Sequence, residues 1–377
     1  MEMMAMTAKE MLIKLCDSVV ADDPPFFWNK WQYDDGVKLK GVEAAWRLTG
    51  KQEYFDIIKK YADNFIDEEG NIPKYHDKEY NIDHLNNGKN ILFLYNETKD
   101  PRYLKVLKLM RNQIKDHPRI ETGGFWHKNI YPHQMWLDGL FMGQPFYAEY
   151  SKVFNEPENF DDIANQFYLM AKYSYNEEKQ LFYHAYDHSR EQRWANKETG
   201  CSPNFWGRSI GWFGMAIVDT LDYFPADHKG RAILLDALNK VVGGIKRYQD
   251  PQRKLWWQLV DRAGENGNYI ETSCSAMFVY VIAKAVLKGY IDKSYLEIAE
   301  SGFKALVETE TSINEKGHVV LHHVCEVAGL GAGPGAPPEK YRTGTPEYYY
   351  SEPVIDNDGK GYGAFINVAA VMAELGK

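Results

Sequence analysis

The feature that most constrains the fold is an alternation between two kinds of helical pattern. One kind is amphipathic and opens on a turn followed by an aromatic residue. Thr49-Gly50 leads into Tyr54, Phe55, Ile57, Ile58, Tyr61, Ala62 and Phe65. Asp100-Pro101 leads into Tyr103, Leu104, Val106, Leu107, Met110 and Ile114, with proline at a favoured first-turn position. Glu156-Pro157 and Asp292-Lys293 open two more such stretches, which begin at Phe160 and Tyr295. The other kind is apolar on most sides, over 37–48, 85–95, 136–150, 205–221, 273–287 and 362–375. A helix apolar on most sides is buried on most sides, so the chain alternates outer and inner helices. The pairs recur at intervals of roughly 50 residues, about six in all, which fits a closed ring of helical hairpins better than an open solenoid. The expected architecture is all-α, an (α/α)6 barrel with short strands in loops at 181–185, 255–259 and 318–324. No Gly/Ser/Pro linker divides it, so residues 1–377 read as one domain.

Composition narrows the partners. The chain is 44% hydrophobic, enough for a large core, and its 44 basic and 53 acidic residues give a net charge of -9. Without a basic tract, neither nucleic acid nor an anionic membrane is the expected partner, because phosphate binding needs clustered Lys and Arg. The aromatic content, with 26 Tyr and 10 Trp, suits ring faces that stack on a pyranose, and equally an aromatic helical core. Cys16, Cys201, Cys274 and Cys325 lie far apart and read as buried, reduced thiols. The start, Met1-Glu2-Met3-Met4-Ala5-Met6, has no basic or apolar leader pattern, and no apolar run is long enough to span a bilayer. A cytoplasmic protein, monomeric or weakly self-associating, is expected.

In such a barrel ligands bind where loops and inner-helix ends converge. Three segments there carry polar groups. Asp138 sits in Trp136-Leu137-Asp138-Gly139-Leu140-Phe141-Met142, at the start of an inner helix. A carboxyl among such residues is poorly solvated as an anion and can be held protonated, as a general acid must be. It could equally stabilise the helix N-terminus. Asp83, in Asn81-Ile82-Asp83-His84, reads either as an N-cap or as a second carboxyl partnering Asp138, since two carboxyls flanking a sugar are the usual equipment of glycoside hydrolysis. Arg208, in Trp206-Gly207-Arg208-Ser209-Ile210-Gly211-Trp212, needs an anion: a substrate carboxylate or an internal acid. Trp206 and Trp212 do not share a helix face, so at least one can project into a cavity. His127, His133 and the adjacent His322-His323 lack metal-ligand spacing, and no nucleotide loop or nucleophile elbow occurs, so no metal or cofactor is expected. The Gly- and Pro-rich segment 329–338 reads as a loop beside the site or a surface excursion.

Together these motifs resemble the unsaturated rhamnogalacturonyl hydrolases, glycoside hydrolase family 105. The likeness runs from Trp31-Gln32-Tyr33-Asp34-Asp35-Gly36 and Thr49-Gly50 through the Asp138 and Arg208 segments. It ends at Glu347-Tyr348-Tyr349-Tyr350-Ser351-Glu352-Pro353 and Asn357-Asp358-Gly359-Lys360-Gly361. It implies an (α/α)6 barrel that hydrates the C4=C5 double bond of a lyase-generated, non-reducing uronic acid, using only substrate and water. By the same likeness Asp138 is the general acid/base and Asp83 the second carboxylate. Tyr33, His127, His184, Trp206, Arg208 and Trp212 would line the uronate pocket. Many relatives read W-A-R-G-N-G-W where this chain has W-G-R-S-I-G-W, a difference that bears on the aglycone. The expected substrate is unsaturated galacturonyl-rhamnose. The alternatives are an unsaturated glucuronyl hydrolase acting on glycosaminoglycan-type fragments, or an epimerase or sugar-binding protein on the same barrel. The Asp-centred motif speaks against an epimerase, which would need a His pair.

Overall fold

A computed structural model describes residues 6–333 and 335–377; residues 1–5, which hold most of the methionine-rich start, and Pro334 of the Gly- and Pro-rich segment lie outside the described residues. In chain order the helices are α1 (Ala8–Val20), α2 (Tyr33–Thr49), α3 (Gln52–Phe65), α4 (Gly88–Thr98), α5 (Pro101–Asp116), α6 (Leu137–Val153) and α7 (Asn159–Ser174). There follow α8 (Gly207–Leu221), α9 (Arg231–Tyr248), α10 (Thr272–Leu287), α11 (Leu296–Thr309), the short α12 (Pro346–Ser351) and α13 (Gly359–Glu374). The inner ring runs α2, α4, α6, α8, α10, α13 and closes where α13 packs on α2. Outside it α3 lies on α2, α5 on α4, α7 on α6, α9 on α8, α11 on α10 and α1 on α13. This is the (α/α)6 barrel expected from the alternation. The two ends of the ring also meet through the backbone, Ala8 N–H donating to the Lys377 carbonyl at 3.0 Å.

Local chemistry explains the elements. α3 buries Tyr54, Ile57, Ile58, Tyr61, Ala62 and Phe65, one stripe at helical spacing, whereas α10 is buried over nearly its whole circumference. Asp100 caps α5 by accepting from Arg102 N–H, with Pro101 in the first turn. α2 stops at Gly50, whose φ of 70° is a left-handed cap that glycine adopts without steric penalty. All four cysteines are buried and free. Among the described residues no helix is long and apolar enough to cross a membrane.

The inner helices begin at one end of the barrel. Lys360 at the start of α13 bonds Asp34 at the start of α2 (2.8 Å), and Arg208 in α8 bonds Ser273 in α10 (2.9 Å). The structure departs from the sequence expectation in several places. α1 and α9 complete the outer ring although neither opens on the turn-aromatic signal. The stretch at 85–95 begins as a 3-10 turn, Ile82–Leu85, and turns α-helical only at Gly88. Trp136 ends a strand, Gln134–Trp136, rather than starting the helix. The strand expected at 181–185 splits around Tyr183 and His184 into Leu181–Phe182 and Ala185–Asp187, each paired with a different partner. Residues 255–259 make only isolated bridges, Trp257 with Ile270 and Leu259 with Trp206. Within 318–324 only Val319–Leu321 runs as a strand, paired with Thr311–Ile313, and Val324 begins a separate pairing with Ile355.

Candidate active site

The end of the barrel where the inner helices start carries two carboxylates in unlike surroundings. Asp138 lies in the first turn of α6. The strand before it, Gln134–Trp136, pairs with Ala185–Asp187 so that Trp136 faces Ala185, and Leu137 N–H donates to the His184 carbonyl at 3.1 Å. This register brings His184 Nε2 to 3.3 Å from Asp138 Oδ2. The approach is off the line of a hydrogen bond, and both atoms are buried without a hydrogen-bond partner. On its other side His184 Nδ1 lies 2.8 Å from the Tyr349 hydroxyl, supplied by α12. A carboxylate facing Nε2 favours the tautomer with hydrogen there, which makes Nδ1 the acceptor and Tyr349 the donor. Burial pushes the Tyr349 pKa well above that of a free tyrosine, so its hydroxyl stays a donor.

Asp83 sits in the 3-10 turn. It is not the cap there: Asn81 is, its side chain accepting from Asp83 N–H at 3.1 Å. That leaves the Asp83 carboxylate free to meet Lys128 Nζ at 2.6 Å and His127 Nε2 at 3.6 Å. Burial alone would raise its pKa, but the charge and hydrogen bond of Lys128 lead the effects that outweigh it and hold the carboxylate below its ordinary value. The same burial pushes His127 down to about 4, so at neutral pH it is an uncharged ring. His127 stacks on Trp136 (4.7 Å, planes 5° apart), which in turn stacks on Tyr131 (5.2 Å). A Cβ on Gly139 would lie 3.0 Å from His127 Nδ1, so the glycine after Asp138 lets the ring approach the helix this closely. Each aspartate side chain is 14% exposed, enough for an oxygen to be reached from outside.

The remaining candidates divide. Trp206 is the N-cap residue of α8, and its ring lies 4.7 Å from His184. Trp212, two turns further on, is fully buried between Phe141, stacked at 4.6 Å, and the edge of Tyr33 at 6.2 Å. Neither indole N–H has a partner. Tyr33, at the start of α2, has its pKa pushed well up by lost solvation and then by Asp34 and Asp83, with Asp138 adding to the effect. Arg208 corrects the expectation of a substrate-facing guanidinium. It is 1% exposed; Nε donates to Ser273 Oγ at 2.9 Å, Nη1 to the Glu326 carbonyl at 3.4 Å and Nη2 to the Cys325 carbonyl. The buried Glu271 carboxylate stands 3.7 Å from Nη2. Of the two anions the sequence allowed, the structure supplies the internal acid. Ser209 and Ile210, which distinguish this chain's motif, are buried too, Ser209 bonding back to the Trp206 carbonyl.

The structure thus gathers Asp83, Asp138, His127, His184, Trp206 and Tyr33 around one region and sets Trp212 and Arg208 behind it. Lys128, Tyr349, Trp136 and Tyr131 belong to the same region and were not read as site residues from the sequence. Tyr349 does fall in the Glu347–Pro353 motif, the one signal that could have found it. Leu330 of the Gly- and Pro-rich segment lies beside the site, packing with Trp136, Ala185 and Trp194. Among the described residues, no three His, Cys, Asp or Glu side chains gather closely enough to hold a metal ion.

A closed helical barrel that offers two unlike carboxylates among tryptophan, tyrosine and histidine rings is the equipment of a glycosidase. The chain belongs to Glycosyl Hydrolase Family 88, which it matches over residues 4–375. It is similar to a solved glycoside hydrolase of family 105 from C. acetobutylicum, with 41% identity, a TM-score of 0.93, and coverage of 96% of this chain and 99% of that one. It is 40% identical over 226 residues to the "24.9 kDa protein in picA locus" of Rhizobium radiobacter, covering 59% of this chain and 94% of the relative. It is 25% identical over 295 residues to the "Unsaturated rhamnogalacturonyl hydrolase YesR" of Bacillus subtilis, covering 77% and 78%.

Proposed function

We propose that this chain releases 4,5-unsaturated galacturonic acid from the non-reducing end of lyase-generated rhamnogalacturonan fragments, with unsaturated galacturonyl-rhamnose as substrate, as a step in pectin breakdown. The observation that carries the proposal is the inequality of the two carboxylates. Asp83 is committed to Lys128 and stays ionised, whereas Asp138 keeps a buried oxygen with no protein donor. Groups whose surroundings differ in this way divide into a fixed charge and a proton carrier. Asp138 delivers its proton to C4, and the C4=C5 pair of electrons forms the new C–H bond. The cation left at C5 is shared with the ring oxygen. Water adds at C5 and returns a proton to Asp138. The hemiketal so formed opens, and the aglycone leaves with its oxygen. His184, held by Tyr349, orients the Asp138 carboxyl, while Asp83, Lys128 and neutral His127 bind sugar hydroxyls and steer the water. The half-buried ring of Tyr131 offers a stacking face, backed by the buried rings of Trp136 and Trp206.

The name of the Bacillus subtilis relative supports the rhamnogalacturonyl substrate. The test is a panel of lyase-digested rhamnogalacturonan, heparin and chondroitin, each with wild type and Asp138→Asn. Turnover confined to the first substrate and absent from the variant is expected. Preferential turnover of the glycosaminoglycan digests would replace the substrate with an unsaturated glucuronide, and binding without turnover of any would leave a sugar-binding protein.

A further inference from the structure

The far end of the barrel, where most of the inner helices finish, holds a cavity of about 160 Å³. Its wall is ionic. Lys40 and Arg47 of α2 both bond Glu43, at 2.7 and 2.9 Å. Across the barrel Lys284 of α10 lies 2.7 Å from each of Asp219 and Asp222 in and after α8. These groups neutralise one another, three cations against three carboxylates. Lys288 and Glu374 also line the space, and two further ionisable side chains facing it are buried: Lys89 of α4, 2% exposed, and Glu149 of α6, 6% exposed. Neither Lys89 Nζ nor Glu149 Oε2 has a hydrogen-bond partner. Lys89 Nζ instead stands 4.0 Å above the ring of Phe141, whose stacking partner is Trp212.

A buried ammonium with no acceptor is unfavourable, and a cavity at the barrel's end gives a mobile counter-ion a place to sit. Burial pushes the Glu149 carboxyl up against the pull of Lys40, and pushes Lys89 down to about 8. At neutral pH Lys89 still carries most of its charge, and burial favours the protonated, donating form of the Glu149 carboxyl. A buried ammonium without an acceptor, facing the same cavity as a carboxyl that burial drives toward its donating form, suits two acceptor oxygens on one anion. The volume exceeds what a halide fills.

We propose that this basal cavity is a binding site for a small monocarboxylate, one oxygen on Lys89 Nζ and the other on the Glu149 carboxyl. Bound there, the anion links Lys89, in the first turn of α4, to Glu149, near the end of α6, and Lys89 itself contacts the Phe141–Trp212 stack that reaches Tyr33. The site is independent of the reaction assigned above. Simple organic acids and sugar acids share the required group, so acetate serves as the minimal probe and galacturonate as the larger one.

The test follows the melting temperature of the full chain during titration with sodium acetate, with ionic strength held by sodium chloride. Wild type should show a saturable rise. Lys89→Met keeps a flexible apolar chain on Phe141 and should weaken acetate binding about tenfold or more, the loss of one charge-assisted hydrogen bond. Glu149→Gln keeps a donor and should retain the response, whereas Glu149→Leu should lose it, which keeps the test decisive should Lys89→Met not fold. A galacturonate response that disappears in the same variants extends the site to sugar acids; one that persists in them belongs to the active site and leaves the acetate result to decide. No saturable rise in wild type, or an equal rise in Glu149→Leu or with chloride alone, overturns the proposal.

Discussion

Replacing Arg208 by lysine separates a guanidinium that builds the barrel wall from one that grips substrate. In the structure the fork joins Ser273 Oγ and the Cys325 and Glu326 carbonyls, with Glu271 close behind. A lysine ammonium keeps the charge but can satisfy only part of this set from one point. Hydrogen bonds to charged groups contribute about 1.5–3 kcal/mol each. Losing two while keeping the Coulomb attraction to Glu271 should cost about 3 kcal/mol, the lower end of what breaking a buried pair costs. An unfolding entropy of about 2.1 cal/mol/K per residue gives about 0.8 kcal/mol/K for the 377 residues. The expected fall in Tm is therefore about 4 °C. Calorimetry and steady-state kinetics on one preparation of Arg208→Lys make the comparison. The structure predicts the lower Tm with KM nearly unchanged in the folded enzyme. An unchanged Tm with KM raised about tenfold, equivalent to 1.4 kcal/mol, would refute the reasoning and return the guanidinium to the substrate carboxylate.

Three other outcomes are expected. Asp138→Asn should lose turnover by at least about a hundredfold, the usual share of a general acid, while its Tm and substrate affinity stay close to wild type; activity within a few-fold of wild type removes Asp138 from the chemistry. Lys128→Met takes away the main charge that holds Asp83 low, so the acid limb of kcat/KM should move to higher pH, while Lys128→Arg should leave it in place. An unmoved limb in Lys128→Met would show that Asp83 ionisation does not govern activity. His117, buried against the Trp126 carbonyl at 2.7 Å, is pushed down to about 4 from the 6.5 of an open chain. Because the folded value is the lower one, its contribution is complete above pH 6.5 and is lost as pH falls through 4, up to about 3 kcal/mol. His117→Gln, which can still donate to that carbonyl, should flatten the acid decline in urea-unfolding free energy, and an equally steep decline would count against the assignment.

The helical alternation was legible because burial imposes it locally: a stripe in α3, a mostly apolar surface buried nearly all round in α10. Closure of the ring could be inferred from the number of pairs, although α1 and α9 lacked the turn-aromatic opening. Asp138 stood out because a carboxyl inside Trp136–Met142 has no other apolar-phase purpose than structure or chemistry. Lys128 did not, since its meeting with Asp83 depends on the bridge between Asn81 and Lys128, a pairing across 47 positions that no local pattern encodes. Arg208 shows the complementary limit. Its need for an anion was readable, but the choice between substrate and Glu271 depends on how α8 lies beside α10. The same holds for His184, whose partners Asp138 and Tyr349 come from distant segments.

The central claim is that Asp138 protonates an alkene carbon and water enters at C5, where an ordinary glycosidase would attack C1. It is tested most directly by running the reaction on unsaturated galacturonyl-rhamnose in water labelled with heavy oxygen, while following the near-ultraviolet absorbance of the conjugated double bond. The account predicts that absorbance disappears in step with rhamnose release, that the label resides at C5 of the uronate product, and that a substrate with its double bond reduced is inert. Rhamnose release with the absorbance intact, or label at C1, would contradict it and make Asp83 and Asp138 a conventional glycosidase pair.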